Sequence, residues 1–354
     1  MKILHVLTAP RAEGTPRLVL DWLSLKDHEQ EVVFLKGRGE LTSTFENTGV
    51  WQYYNKDFPL KFTNGPKIVQ LIRSICKARK PDVVISWTTG MSQWIHAGAR
   101  LAGVRKLIVH AGNAPGKTFI GRYLASYFSY WTGLVLGSKV IACSKYIRDE
   151  YVKIPLVASR QFHWVHNCVN AERFQVKGYT RNDDAAIMVA TLEPHKDHET
   201  LLKAWKILED RGISAELKLA GDGSLRNKLE ELAAQLKLRR VVFLGSRSDI
   251  PGLLAQSKVF VFSTTPQEGF GTVLVEAIAA GCIIVASDVP ACREVLDNGN
   301  YGMLVAPANP EKMADALAIA LNDELREEVR RKRQEYLEQF TPSSMMKKYL
   351  QIVG

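Results

Sequence analysis

Short apolar runs rich in Val, Ile and Leu alternate along the whole chain with stretches whose apolar positions fall three and four apart. The first pattern predicts strands buried on both faces, and the second predicts helices packed on them. In the first half, strands are predicted at 3–7, 32–35, 83–87, 107–110 and 140–143, with helices near 17–25, 67–78, 91–101 and 119–136. The second half repeats the plan, with strands at 187–190, 217–220, 241–244, 259–262 and 283–286. Its helices are predicted near 199–208, 225–236, 272–280 and 312–321, and a last one at 343–352 follows Pro342. Such alternation is the mark of α/β architecture built on parallel, doubly wound sheets.

A chain of 354 residues is too long for one ordinary domain and suits two, each with its own core. Residues 170–184 are polar and aperiodic. The pattern therefore predicts an N-terminal Rossmann-like domain at 1–170, a linker at 171–184 and a second domain at 185–340. The helix in 341–354 is expected to pack back towards the N-terminal domain. Ligands of open α/β sheets bind beyond the carboxyl ends of the strands, so the loops there are the places to look for chemistry.

Composition narrows the class. Apolar residues make up 46% and charged residues 24%, as in a globular protein outside the membrane. The five cysteines are scattered and odd in number, without a Cys-x-x-Cys pair, which fits a reducing compartment and argues against zinc or a disulfide framework. Met1 runs straight into the first predicted strand, so no signal peptide is expected, and no stretch has the length and apolarity of a membrane span. The net charge of +10 is uneven: between Lys61 and Arg148 fourteen Lys and Arg face a single acid, Asp82. A basic patch in one half points to an anionic partner there. A nucleic-acid reading motif is missing and the cations are not interleaved with a stacking platform, so no nucleic acid is expected.

The most informative stretch is 264–277. An apolar strand precedes it, Glu268-Gly269-Phe270-Gly271 forms the turn, and a helix begins at Thr272-Val273. Backbone N–H groups at such a turn, with the positive helix end behind them, favour a phosphate. Glu268 lies in the turn, and Glu276 lies about one turn further into the helix. Two carboxylates flanking a phosphate can accept hydrogen bonds from hydroxyls on either side of it. A phosphate between two polyols is a nucleotide sugar. An ordinary βαβ unit could also carry two solvated glutamates at this spacing.

Glu-Gly-Phe-Gly, the helix that starts at once, Ala280-Gly281 and the strand after Cys282 resemble the retaining, GT-B-fold glycosyltransferases of the glycogen-synthase-like kind, glycosyltransferase family 4. The resemblance extends over nearly the whole chain. It implies two Rossmann-like domains facing a central cleft, the acceptor on the N-terminal one and a nucleotide-diphosphate sugar on the other. It assigns catalytic roles to Glu268, Lys196 and His110, and donor contacts to Gly14, Arg17, Thr191, Gly221, Ser246, Gly269, Phe270, Gly271, Thr272, Val273 and Glu276. Lys196 falls on a lysine that neutralises the leaving diphosphate. Thr191 stands where the family usually has an arginine, a departure that should weaken leaving-group stabilisation; His195, or Arg17 or Arg11 across the cleft, could compensate. Gly221-Asp222-Gly223 matches a glycine turn, which a purely structural role explains equally well. Gly245-Ser246-Arg247 resembles the loop that contacts the base. Glu13-Gly14 matches the glycine-rich loop near the donor phosphates, with Glu13 in place of a first glycine. His110 matches a histidine near the transferred sugar, although a lone histidine at a strand end is more often a structural residue. Ser144 and Asn167 land on further family landmarks, the latter read as architectural.

No Asp-x-Asp occurs, so a metal-bridged diphosphate is not expected, and no cofactor beyond the donor is implied. Residues 117–131 carry six aromatics with Lys117 and Arg122, a composition suited to an anionic headgroup layer or to a helix packed on its sheet. The expected function is transfer of a sugar to a hydroxyl of a glycan or lipid-linked acceptor in polysaccharide or glycolipid synthesis, in the cytoplasm or at the inner face of the membrane. An epimerase or hydrolase of the same fold, or a catalytically weak sugar-nucleotide binder, are the competing readings.

Overall fold

The computed structural model describes residues 1–11, 14–115, 135–153, 159–176, 178–180, 182–323 and 327–354. The chain divides into two compact units: Met1–Cys168 together with Pro342–Gly354, and Val169–Thr341.

Among the described residues, the first unit is built on seven parallel strands, β1 (Lys2–Leu7), β2 (Glu29–Phe34), β3 (Trp51–Tyr54), β4 (Val83–Ser86), β5 (Lys106–Ala111), β6 (Lys139–Ala142) and β7 (Phe162–Trp164). Their order is β3-β2-β1-β4-β5-β6-β7. Parallel sheets need both faces covered, and alternation along β1 shows how that is done. Ile3 and Leu7 join a core with Trp22, Met345, Met346 and Tyr349, against the helices Gly14–Leu23 and Pro342–Val353. Leu4 and Val6 point to the opposite face and meet Ile68, Ile72 and Ile95 of Gly65–Arg79 and Ser92–Leu101. The C-terminal helix is thus part of the first unit.

The described residues of the second unit hold six parallel strands, β8 (Asn182–Val189), β9 (Glu216–Ala220), β10 (Val241–Gly245), β11 (Ser257–Phe262), β12 (Ile283–Ser287) and β13 (Met303–Val305). The order is β10-β9-β8-β11-β12-β13. Winding reverses between β8 and β11, which makes the carboxyl ends of these two strands the switch point of the sheet, where ligands of such folds bind. The helix His198–Asp210 follows β8, and the helix Thr272–Ala279 follows β11.

Two expectations from the sequence pattern differ from the structure. Strands β3, β7 and β13 were not predicted; all three lie at sheet edges, where a strand need not be a continuous buried run. The segment 171–184 is not a linker. The chain passes between units at Cys168 and Val169, Ala171–Phe174 forms a 3-10 turn with Phe174 buried, and β8 already begins at Asn182. The predicted helix 119–136 and the aromatic run 117–131 lie largely outside the described residues.

Candidate active site

The switch point of the second unit is organised by Glu268. Strand β11 ends in Phe262, and the chain then turns through residues 263–271 into the helix Thr272–Ala279. Gly271 closes the turn with φ of 79°, a left-handed conformation that a side chain would strain. Glu268 reaches forward within the turn: its Oε1 accepts from the amides of Gly269 and Gly271, each at 3.1 Å. Its Oε2 accepts from Lys196 Nζ, forming an ion pair whose side chains are only 11% and 15% exposed.

Lys196 arrives from the loop after β8, at the end of the 3-10 turn Pro194–Lys196. Hydrogen bonds to one carbonyl hold that loop to the β11 loop: His195 O accepts from Thr265 N at 3.0 Å and from the Thr264 hydroxyl at 2.9 Å. The ammonium also lies 5.0 Å from the centre of the Phe262 ring, a cation–π position. Two residues 72 apart in sequence therefore meet at the switch point of the sheet.

Burial alone would raise the Glu268 carboxyl. The Lys196 charge and hydrogen bond and the Phe270 amide more than offset that and hold it below the ordinary glutamate value. His195 is pushed down by burial and by Lys196, so its imidazole stays neutral beside the pair.

The turn after β9 packs against the first residues of the β8 loop. Gly221 has φ of 150°, and a Cβ there would lie 1.9 Å from Ala190 O; at Gly223 it would lie 2.6 Å from Leu192 O. Close backbone approach thus explains both glycines without a ligand. Leu192 N donates to Asp222 O, and Thr191 between these contacts is exposed. Ser246 is exposed after β10, and Gly221 N donates to Gly245 O at 2.8 Å. Phe270 is buried against Phe340, so this side chain packs the core and only its backbone faces the turn. Thr272 and Val273 open the helix, where no helical carbonyl can reach their amides, and Glu276 is half-buried on the same helix.

Three supporting residues of this unit escaped the sequence pattern. Glu193 accepts from Ser224 N at 2.9 Å and Ser224 Oγ at 2.7 Å, bracing the Lys196 loop against the β9 turn. These bonds hold its carboxyl below the ordinary value. Arg226 places a guanidinium nitrogen 3.2 Å from where a Gly245 Cβ would stand, anchored by Glu230 at 2.9 Å and Asp222 at 3.5 Å. Phe262, beneath Lys196, was legible only as a strand residue.

In the first unit, Gly14 opens the helix Gly14–Leu23, exposed and with no atom within 4 Å of where its Cβ would be, so packing does not demand glycine there. Arg17 is half-buried on the first turn of that helix; Glu13 lies outside the described residues. His110 stands near the end of β5, buried, with Nδ1 2.8 Å from Tyr349 Oη. Burial pushes its imidazole down to about 4, so the ring is neutral. Ser144 caps the helix Lys145–Val152, its side chain accepting from Ile147 N at 3.1 Å.

Comparison with known proteins identifies the family and the fold. The sequence model of the glycosyl transferases group 1 matches residues 170–340, and that of glycosyltransferase family 4 matches residues 19–173. EpsF of Bacillus subtilis is 28% identical over 321 residues, covering 84% of this chain and 81% of EpsF. The phosphatidyl-myo-inositol mannosyltransferase of Mycobacterium tuberculosis is 35% identical over 178 residues, 46% of each chain, so the match spans less than half of that relative. Among solved structures, Anabaena Alr3699/HepE in complex with UDP and glucose aligns over 99% of both chains with a TM-score of 0.84 and 17% identity, a likeness of fold. With the two sequence models together spanning 19–340 and two Rossmann-like units of the GT-B kind, the chain belongs to the group 1 glycosyltransferases, family 4.

Proposed function

We propose that the chain transfers a sugar, with retention of configuration, from a nucleotide-diphosphate sugar to a hydroxyl of a glycan or lipid-linked acceptor, without a metal ion. The carrying observation is the Glu268–Lys196 pair at the carboxyl ends of β8 and β11, in front of the helix Thr272–Ala279. Lys196 and the amides of Thr272 and Val273 supply positive charge for the diphosphate. Glu276 accepts from ribose hydroxyls and Glu268 from sugar hydroxyls, with His110 at the transferred sugar. The departing phosphate oxygen takes the acceptor's proton on the same face. A donor of this kind accords with the Alr3699/HepE structure, a complex with UDP and glucose, and a lipid-linked acceptor accords with the name of the mannosyltransferase relative.

Thermal stabilisation by UDP, GDP, ADP and their sugars identifies the donor, because a ligand of the folded state raises stability by mass action. Product analysis with that donor then tests transfer: a stoichiometric glycosylated acceptor is expected, and epimerised or hydrolysed donor alone would overturn the reading. Among the described residues no three His, Cys, Asp or Glu side chains group as a metal site. Turnover is expected to persist in excess EDTA, and an absolute need for added Mg²⁺ or Mn²⁺ would contradict the metal-free scheme.

A peripheral membrane role is favoured by one face of the first unit. On the helix Gly65–Arg79 and its cap, Lys67, Arg73, Lys77 and Lys80 are exposed, and among the described residues no acid pairs with them. No described helix is long and apolar enough to cross a membrane. Each cation near an anionic leaflet contributes about 1 kcal/mol, so the four together support a weak, reversible surface attachment. Cosedimentation with phosphatidylglycerol vesicles is expected to fall sharply in Lys67→Glu/Arg73→Glu/Lys77→Glu. Equal binding of this variant would remove the assignment.

A further inference from the structure

We propose that Tyr349, on the C-terminal helix Pro342–Val353, is a positioning residue for His110: its hydroxyl donates to His110 Nδ1 and thereby keeps the ring proton on Nε2, facing the gap left by Gly112. The inference rests on the reading above that His110 meets the transferred sugar.

Tyr349 and His110 are 0% and 3% exposed, and the hydroxyl sits 2.8 Å from Nδ1. The tyrosine ring is enclosed by Trp22 at 5.1 Å, edge-on, and by Trp87 at 6.2 Å, stacked; Trp87 also lies 4.8 Å from the His110 ring. A hydroxyl buried this deeply needs an acceptor for its proton. Among the titratable groups, the thiols of Cys143 and Cys168 also bear on it, and thiols are weak acceptors. If Nδ1 carried the ring proton, the hydroxyl would accept it and its own proton would be left to the sulfurs. With the proton on Nε2, both groups are satisfied. The neutral ring has one proton to place, and the hydroxyl decides where.

Neighbouring His5 is fixed by the same device. Trp87 Nε1, which can only donate, gives its hydrogen to His5 Nδ1 at 3.0 Å, so His5 Nε2 donates to Gln30 at 3.1 Å. At His110 the Nε2 side ends not in a glutamine but at Gly112. A methyl there would touch Nε2 at 3.5 Å, and the backbone of Gly112 is not left-handed, so conformation does not demand glycine. The missing side chain leaves room for a hydroxyl that accepts the Nε2 proton.

The test is long-range ¹H–¹⁵N spectroscopy of the full-length chain, with the His110 ring identified by its loss in His110→Gln. The ring is expected in the Nε2–H form at neutral pH, and to leave that form in Tyr349→Phe. A wild-type ring protonated on Nδ1, or a ring unmoved in Tyr349→Phe, would overturn the proposal. With the nucleotide sugar that the wild type turns over, Tyr349→Phe and Gly112→Ala are each expected to lower kcat about tenfold or more, as small misplacements at a reacting centre do, with the nucleoside diphosphate Kd within about twofold. Unchanged kcat in both would overturn it too. Gly112→Ala and the wild-type spectrum decide the matter should Tyr349→Phe fail to fold. A wild type that turns over no nucleotide sugar would sink the proposed function, while the spectra still decide the Tyr349 bond.

Discussion

Glu268→Gln is expected to lower kcat about a hundredfold or more, the scale seen when one preorganised polar group is removed from a reacting centre. Glutamine keeps an oxygen for the Gly269 and Gly271 amides, now accepted by Oε1 at 3.1 Å, so the turn should hold its shape. What disappears is the negative charge opposite Lys196 and the strong acceptor offered to the sugar. Lys196, no longer neutralised, would then hold a diphosphate at least as well as before. Nucleotide affinity should therefore be kept or raised while turnover collapses. Glu276→Ala should do the opposite, weakening the nucleotide by about 1.5–3 kcal/mol, the range for hydrogen bonds to a charged group. Calorimetry alongside steady-state rates separates the two, and equal loss of free nucleotide in both variants would show that the division of labour is wrong.

Stability is expected to fall steeply as the pH drops below about 6.5, well before carboxylates titrate. Burial pushes His5, His96, His110 and His198 each from 6.5 down to about 4. Between those values the unfolded chain binds a proton at each ring that the folded chain does not. The stabilisation of the neutral form is complete above 6.5 and is lost as the pH falls through about 4. Each histidine contributes a slope of about 1.4 kcal/mol per pH unit in that window. Glu268, held below its ordinary value of 4.5 despite its burial, adds the same sign of dependence only at still lower pH. His198 is a clean probe, since it is buried and its Nδ1 has no hydrogen-bond partner. His198→Leu should make the slope of denaturation free energy between pH 5 and 6.5 shallower by about one proton's worth. A wild-type stability that stays level from pH 7 to 5 would contradict this.

Much of this was legible in sequence because buried parallel strands advertise themselves. Runs such as Val-Phe-Val-Phe in β11 have to be apolar throughout, so ten of the thirteen strands among the described residues could be placed from pattern alone. Trp51-Gln-Tyr-Tyr in β3 could not, because an edge strand has no second neighbour and little need for a continuous apolar run. The site was legible where chemistry and local geometry share one segment, as at Glu268 and Gly271. It was not legible where distant segments meet. Neither the Glu268–Lys196 ion pair nor the Glu193–Ser224 brace nor the bond from Tyr349 to His110 has any local signature. Gly221 shows the converse: a motif glycine whose reason is the Ala190 carbonyl.

The central claim is that Lys196, oriented by Glu268, holds the diphosphate at the β8–β11 switch point. It is tested by the affinity gained on going from nucleoside monophosphate to diphosphate, measured by calorimetry for whichever of the uridine, guanosine or adenosine series the protein binds. The wild type should prefer the diphosphate strongly. Lys196→Met should erase most of that preference, because the unpaired Glu268 charge would then oppose the phosphate as well. A preference that survives intact in Lys196→Met, or a wild type that binds none of the three diphosphates, would contradict the account.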